Sequence, residues 1–217
     1  MRAQLDRTEQ RILGVLIEKE MSVPETYPLT LNSLVAGCNQ KSNREPTTSF
    51  EEFEVQGAIT SLCLKDWVAR REGSRATKFA HQVEARLGVG PAEKAVLAEL
   101  LVRGPQTPME LKVRVARMGV HRDADTMTTM LEAMAAQPTG ALVELLPRRP
   151  RERDARWRHL LGPAAETGAA EADVDDEPAL PPRSRSEGAP ATESSRIADL
   201  EARVAELERR LDQLSGA

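Results

Sequence analysis

Apolar positions along the first 160 residues recur at helical spacing, and the pattern occurs twice. Between Thr8 and Lys19, Ile12, Leu13, Leu16 and Ile17 share one helix face, and between Ala92 and Arg103 the residues Val96, Leu97, Leu100 and Leu101 repeat it at an offset of 84. A second helix is predicted from Thr30 to Cys38, behind Pro28. Its counterpart opens at Thr107-Pro108-Met109-Glu110, where Thr107 is a suitable N-cap and Glu110 closes a capping box. Third helices are predicted from about Phe50 to Lys65, with Phe53, Val55, Ile59, Leu62 and Cys63 as the apolar stripe, and from about Asp123 to Ala136, with Met127, Met130, Leu131 and Met134. Each is followed by strand, turn, strand. Trp67–Arg71 turns at Glu72–Arg75 into Ala76–His81, and Ala141–Leu146 turns through Pro147–Asp154 into Ala155–Leu160. The hairpin ends match at an offset of 78, which points to an internal duplication.

Three helices followed by a hairpin is the order of a winged helix. The expected fold is mainly α with small β-hairpins, an α+β class, in tandem winged-helix units at 1–86 and 87–162. Val68, Phe79, Leu142, Val143, Leu145 and Trp157 are expected to pack the hairpins onto their helices. Beyond Gly162 the composition turns to Ala, Pro, Glu, Asp and Ser, so 163–194 is expected to be a disordered acidic linker. In 195–217, Ile197, Val204 and Leu211 take the a positions of a heptad and Leu200, Leu207 and Leu214 the d positions. Arg196 and Arg203 oppose Glu201 and Glu208 of a partner helix. A coiled-coil helix that forms a homodimer is expected, with docking onto the body as the other outcome.

Charge sharpens this picture. Residues 1–162 carry 24 basic and 21 acidic side chains, or +3, while 163–217 carry 6 and 13, or -7. A mildly basic body therefore bears an acidic tail, and the overall charge of -4 does not argue against an anionic partner. Aromatics make up only 3%, so the cores are expected to be aliphatic and filled by Met. No apolar run is long enough for a membrane span, and a cytoplasmic protein with no membrane partner is expected.

Catalytic signals are weak. There is no CxxC, HExxH, GxSxG or phosphate-loop motif. His81 and His159 occupy equivalent strand ends, which suits a repeated structural role better than catalysis, and His121 is the third histidine. Cys38 and Cys63 lie in apolar helical patterns and are expected to be free buried thiols. No cofactor and no metal are expected. Glu51, Glu52 and Glu54 suit a helix start on dipole grounds.

The basic hairpins carry the positive reading. Arg148, Arg149, Arg151, Arg153, Arg156 and Arg158 crowd the second turn, and Arg70, Arg71, Arg75 and Lys78 the first. Such side chains suit phosphate oxygens, through charge-assisted hydrogen bonds and counterion release. The alternative is a solubilised turn. The loop Asn39–Pro46 offers Lys41, Asn43 and Arg44, which could hold an anion or, equally, satisfy helix ends across the turn. The third helices open with carboxylates, so the wings and this loop are better candidates for contact with double-stranded DNA than the helices are.

Leu29-Thr30-Leu31-Asn32-Ser33-Leu34, running into Cys38–Pro46, then Glu54-Val55-Gln56 and the two hairpins, resembles the bacterial YceH family over about residues 5–162. The resemblance implies a tandem winged-helix fold and no assigned activity. This chain departs from the common form at Gly37 and in Thr47–Glu52. The expected function is a non-enzymatic, transcription-associated DNA-binding protein that contacts phosphates through basic wings. The alternative is a protein-interaction adaptor with no direct DNA binding.

Overall fold

The computed structural model describes residues 4–73 and 76–163. The acidic linker and the heptad segment fall on residues 164–217, outside the described residues, as do Ser74 and Arg75.

In the first half, α1 (Arg7–Ser22) is followed by β1 (Leu29–Thr30), α2 (Leu31–Cys38), α3 (Glu52–Leu64), β2 (Val68–Glu72) and β3 (Thr77–His81). A short α4 (Val83–Leu87) leads into the second half: α5 (Pro91–Arg103), α6 (Pro108–Val115), α7 (Ala124–Ala135), β4 (Val143–Leu145) and β5 (Trp157–His159). The fold is α+β, helices with small antiparallel sheets.

Local chemistry explains the helix starts. The Asp6 carboxylate accepts from the Glu9 N–H at 2.8 Å while Glu9 Oε2 accepts from the Asp6 N–H at 2.8 Å, a capping box that starts α1. Thr107 and Glu110 form the box anticipated for α6, at 3.2 and 2.8 Å. Burial then sets the hierarchy. Every residue of α1 from Glu9 to Glu18 is buried, as is every residue of α5 from Lys94 to Val102, so these two helices are enclosed on all sides. They pack against each other closely. A Cβ on Gly14 would lie 2.7 Å from Val102 Cγ1 and 2.9 Å from Leu101 Cβ, so only glycine lets the backbones approach this far.

One hydrophobic core runs through both halves, from Leu5 and Ile12 to Trp157 and Leu161. The ends of the body meet: the Leu5 N–H donates to the Leu161 carbonyl at 2.8 Å, and Gln10 Nε2 donates to the carbonyls of Leu5 (2.9 Å) and Pro163 (3.1 Å).

The halves share a hairpin register. Arg70 pairs with Phe79 and Val68 with His81 in the first; Leu145 pairs with Trp157 and Val143 with His159 in the second. In the first half β1 adds a third strand, with Leu29 opposite Phe79, giving the order β1-β3-β2. The second keeps one bridge at that place, where Gln106 exchanges backbone hydrogen bonds with Trp157 at 3.0 and 2.8 Å.

Several sequence expectations change. The two-residue β1 and the five-residue α4 carry too little periodicity to be legible. The second hairpin is shorter than expected. Phe53, placed in the apolar stripe of the third helix, is 74% exposed, because α3 buries Val55, Ile59 and Leu62 instead. Leu145, expected to pack inward, is 53% exposed at the end of β4.

Candidate nucleic-acid interface

The loop after α2 turns out to be a structural joint. Arg44 is buried, and its guanidinium donates to the Gly37 carbonyl (2.9 Å), the Asn43 carbonyl (2.7 Å) and Gln40 Oε1 (2.8 Å). It also pairs with the buried Glu18 carboxylate at 2.6 Å. Asn43 takes a left-handed conformation (φ 58°) that asparagine tolerates, and its Oδ1 accepts from Arg103. Asn39 Nδ2 donates to the Phe50 carbonyl and its Oδ1 accepts from the Phe50 N–H, both at 2.8 Å. Of the two readings left open for this loop, satisfaction of chain ends describes Asn39, Gln40, Asn43 and Arg44. Arg44 therefore cannot meet a ligand from solvent, and Lys41 alone of the three loop candidates is exposed.

A wider ionic network anchors this joint. Arg117 bridges Glu18 (3.3 Å) and Glu99 (2.6 Å), and Arg103 pairs with Glu99 at 3.3 Å. The Glu45 N–H donates to the Val102 carbonyl at 2.9 Å. Arg11 donates to the Pro46 carbonyl at 2.7 Å and the Cys38 carbonyl at 3.3 Å. Sequence reasoning missed Glu18, Glu99, Arg103 and Arg117. A signal did exist: Glu99 interrupts the run Ala95–Val102, and a carboxylate inside so apolar a run requires a cationic partner.

The second hairpin divides its arginines. Arg156 is half-buried and held by Glu110 (2.9 Å), Glu152 (3.2 Å) and the Pro105 carbonyl (3.2 Å), and Arg158 is held by Glu144. Arg156 thus serves the hairpin and not its surface. Arg148, Arg149, Arg151 and Arg153 stay exposed at the turn, with Glu152 4.0 Å from Arg149. Arg151 sits at φ 69°, inside the turn between Pro150 and Glu152.

On the first hairpin, Arg70 pairs with Glu72 at 2.9 Å on an exposed surface, a weak contact in water. Arg71 is exposed and faces the half-buried Lys78 across the ladder, so two cations lie side by side. Arg70 also lines a groove of about 500 Å³ between α2, α3 and the hairpin, together with Thr30, Asn32, Gln56, Thr60 and Thr77. Gln56 and Thr60 are uncharged, exposed and bonded to each other (Gln56 Nε2 to Thr60 Oγ1, 3.3 Å). These groove residues were also missed; their spacing along α3 marks a polar face but not what lies opposite it.

The remaining titratable groups serve the fold. Glu20 accepts from His81 (2.9 Å) and Lys94, and Lys94 also reaches Glu84 at 2.6 Å. The His81 hydrogen bond, joined by that from Lys94, holds Glu20 down at about 2 against the opposing effect of burial. Tyr27 Oη accepts from the His81 N–H at 2.7 Å, and burial raises its pKa. His159 is buried and lowered to about 4 by burial, then by neighbouring Arg158. Cys38 and Cys63 are free thiols. Burial pushes Cys38 up to about 12 and raises Cys63, which is only partly buried. Among the described residues no group of three His, Cys, Asp or Glu side chains could hold a metal ion, and no helix is long and apolar enough to cross a membrane.

A family model described as "Protein of unknown function, DUF480" matches residues 5–152. The chain belongs to this family. The DUF480 match takes in the whole loop joint, the groove's helices and the start of the second hairpin, and ends within its turn. The chain is similar to a UPF0502 protein of Dechloromonas aromatica, 42% identical over 208 residues covering 94% of this chain and 92% of the relative. A UPF0502 protein of Geobacter sulfurreducens is 42% identical over 208 residues, covering 95% and 91%. One of Geotalea daltonii is 45% identical over 170 residues, covering 78% of each chain.

Proposed function

We propose that the two halves are tandem winged-helix units and that the protein is a non-enzymatic DNA-binding factor, consistent with the YceH resemblance. Its hairpin turns contact duplex phosphates, and its C-terminal heptad segment pairs two copies. The observation that carries this reading is the exposed cluster of Arg148, Arg149, Arg151 and Arg153 on a hairpin turn, anchored from behind by the Arg156–Glu110 pair. Arginines held at a turn, with their heads in water, suit phosphate neutralisation. Arg71, Lys78 and Lys41 extend the cationic set in the first half. The groove lined by Arg70 supplies Gln56 and Thr60, side chains of the kind that hydrogen-bond base edges. About six phosphate contacts give a log–log salt slope near -5 for duplex binding. Replacing Arg148, Arg149, Arg151 and Arg153 by Ala should reduce that slope by about 3.6 and weaken binding evenly across sequences. Absence of a mobility shift at micromolar protein in dilute salt overturns the reading.

A second reading, an adaptor that binds proteins and not DNA, draws support from the carboxylates Glu52, Glu54, Asp123 and Asp125 at the starts of α3 and α7, which repel phosphate. Retrieval of one stoichiometric partner in a nuclease-insensitive pull-down would favour it.

A further inference from the structure

The duplication places the same groove in both halves, between the start of the second helix, the third helix and the hairpin. Its two linings have diverged. Arg70 and Leu145 hold the same register position, opposite Phe79 and Trp157. In the first half Asn32, Gln56 and Thr60 line the groove together with the apolar Leu31, Cys63 and Phe79. In the second the groove is about 640 Å³, floored by Met109, Leu145 and Trp157 and rimmed by Asp125, Glu132 and Asp154, with Arg153 at one end.

Two features of the second groove are costly unless something covers it. Met109 is 51% and Leu145 53% exposed, two of the five exposed large apolar side chains among the described residues. Around them stand three exposed carboxylates and one arginine, a net negative rim that attracts a cation.

We propose that this groove docks an amphipathic helix of a partner protein, which sets aliphatic side chains against Met109 and Leu145 and lysine or arginine against Asp125, Glu132 and Asp154. Apolar anchors at i, i+3, i+4 and i+7 match a groove walled by helices, and basic flanks match its rim. The first half, with Arg70 where the second has Leu145, lacks this specificity. The groove adjoins the turn proposed to meet DNA and shares Arg153 with it.

The test is selection from a displayed library of helical 16-residue peptides on the full-length protein in nuclease-treated buffer, followed by fluorescence anisotropy of the selected peptides. Binders should be basic, with aliphatic residues at i and i+4, and should lose affinity at least tenfold when their lysines are changed to glutamate. Leu145→Arg, which copies the first half, should weaken them at least tenfold, and Met109→Lys, at a second half-exposed position, should do the same. Arg70→Leu in the other groove should leave them unchanged. Both groove variants should keep the wild-type circular dichroism and should not weaken the duplex mobility shift, which separates failure of this site from failure of the DNA reading. Recovery of no binder, of acidic binders, or of binders indifferent to Leu145→Arg and Met109→Lys overturns the proposal.

Discussion

Replacement of Arg44 by Ala tests whether the loop after α2 is a joint or a contact surface. The Arg44 side chain is wholly buried; it satisfies three oxygen acceptors and pairs with a Glu18 side chain that is 3% exposed. Its loss leaves Glu18 with Arg117 at 3.3 Å and Lys19 at 3.7 Å. Removing one member of a buried pair typically costs ~3–5 kcal/mol, against ~0.2–1 for an exposed pair. Two partially exposed cations remain near Glu18, so the lower end, about 3 kcal/mol, is expected. In a body of this size that lowers the midpoint of thermal unfolding by roughly 6–12 °C. Urea denaturation followed by circular dichroism measures the loss, and a double-mutant cycle with Glu18→Gln isolates the pair, with an expected coupling of about 2 kcal/mol. A cost below about 1 kcal/mol with no coupling would refute the joint and return Arg44 to the candidate contact residues.

Two further perturbations probe the rest of the body. His159 is held neutral: its pKa falls from 6.5 to about 4, so its contribution is complete above pH 6.5 and is lost as pH falls toward 4, a loss of roughly 2–3 kcal/mol. His159→Asn should flatten the pH dependence of urea stability between pH 7 and 4.5 by that amount, and parallel profiles would count against the assignment. Gly14→Ala should destabilise by about 1–3 kcal/mol through overpacking of α1 on α5, whereas Gly57→Ala, on an exposed helix position with nothing within 4 Å of the new methyl, should be neutral or stabilising. Equal thermal midpoints for the two variants would refute the close approach.

Much of the architecture was legible because its signals are local. The period of Ile12–Ile17 and Val96–Leu101, the box at Thr107 and Glu110, and the paired hairpins lie within a few residues of one another, and α1, α5, α6 and both hairpins fall where those signals lie. Phe53 failed because the stripe along α3 is set by what packs on it: a 100° step places Phe53 about 150° from the centre of the face that Val55, Ile59 and Leu62 bury, on the far side of the helix. The arginines of the second hairpin were indistinguishable in sequence. The difference between Arg151, exposed in the turn, and Arg156, bonded to Glu110, arises from a helix start 46 residues earlier.

The repeated apolar period, the charge asymmetry and the order of helices and strands were therefore properties of the chain alone, since each depends on neighbours in sequence. Which cations face water was decided by tertiary packing. Arg44 illustrates the reason. A guanidinium in a polar loop costs nothing to expose, and only the approach of Glu18 from α1 and the carbonyls of Gly37 and Asn43 turned it inward, where burial makes the pair strong and the charge inaccessible.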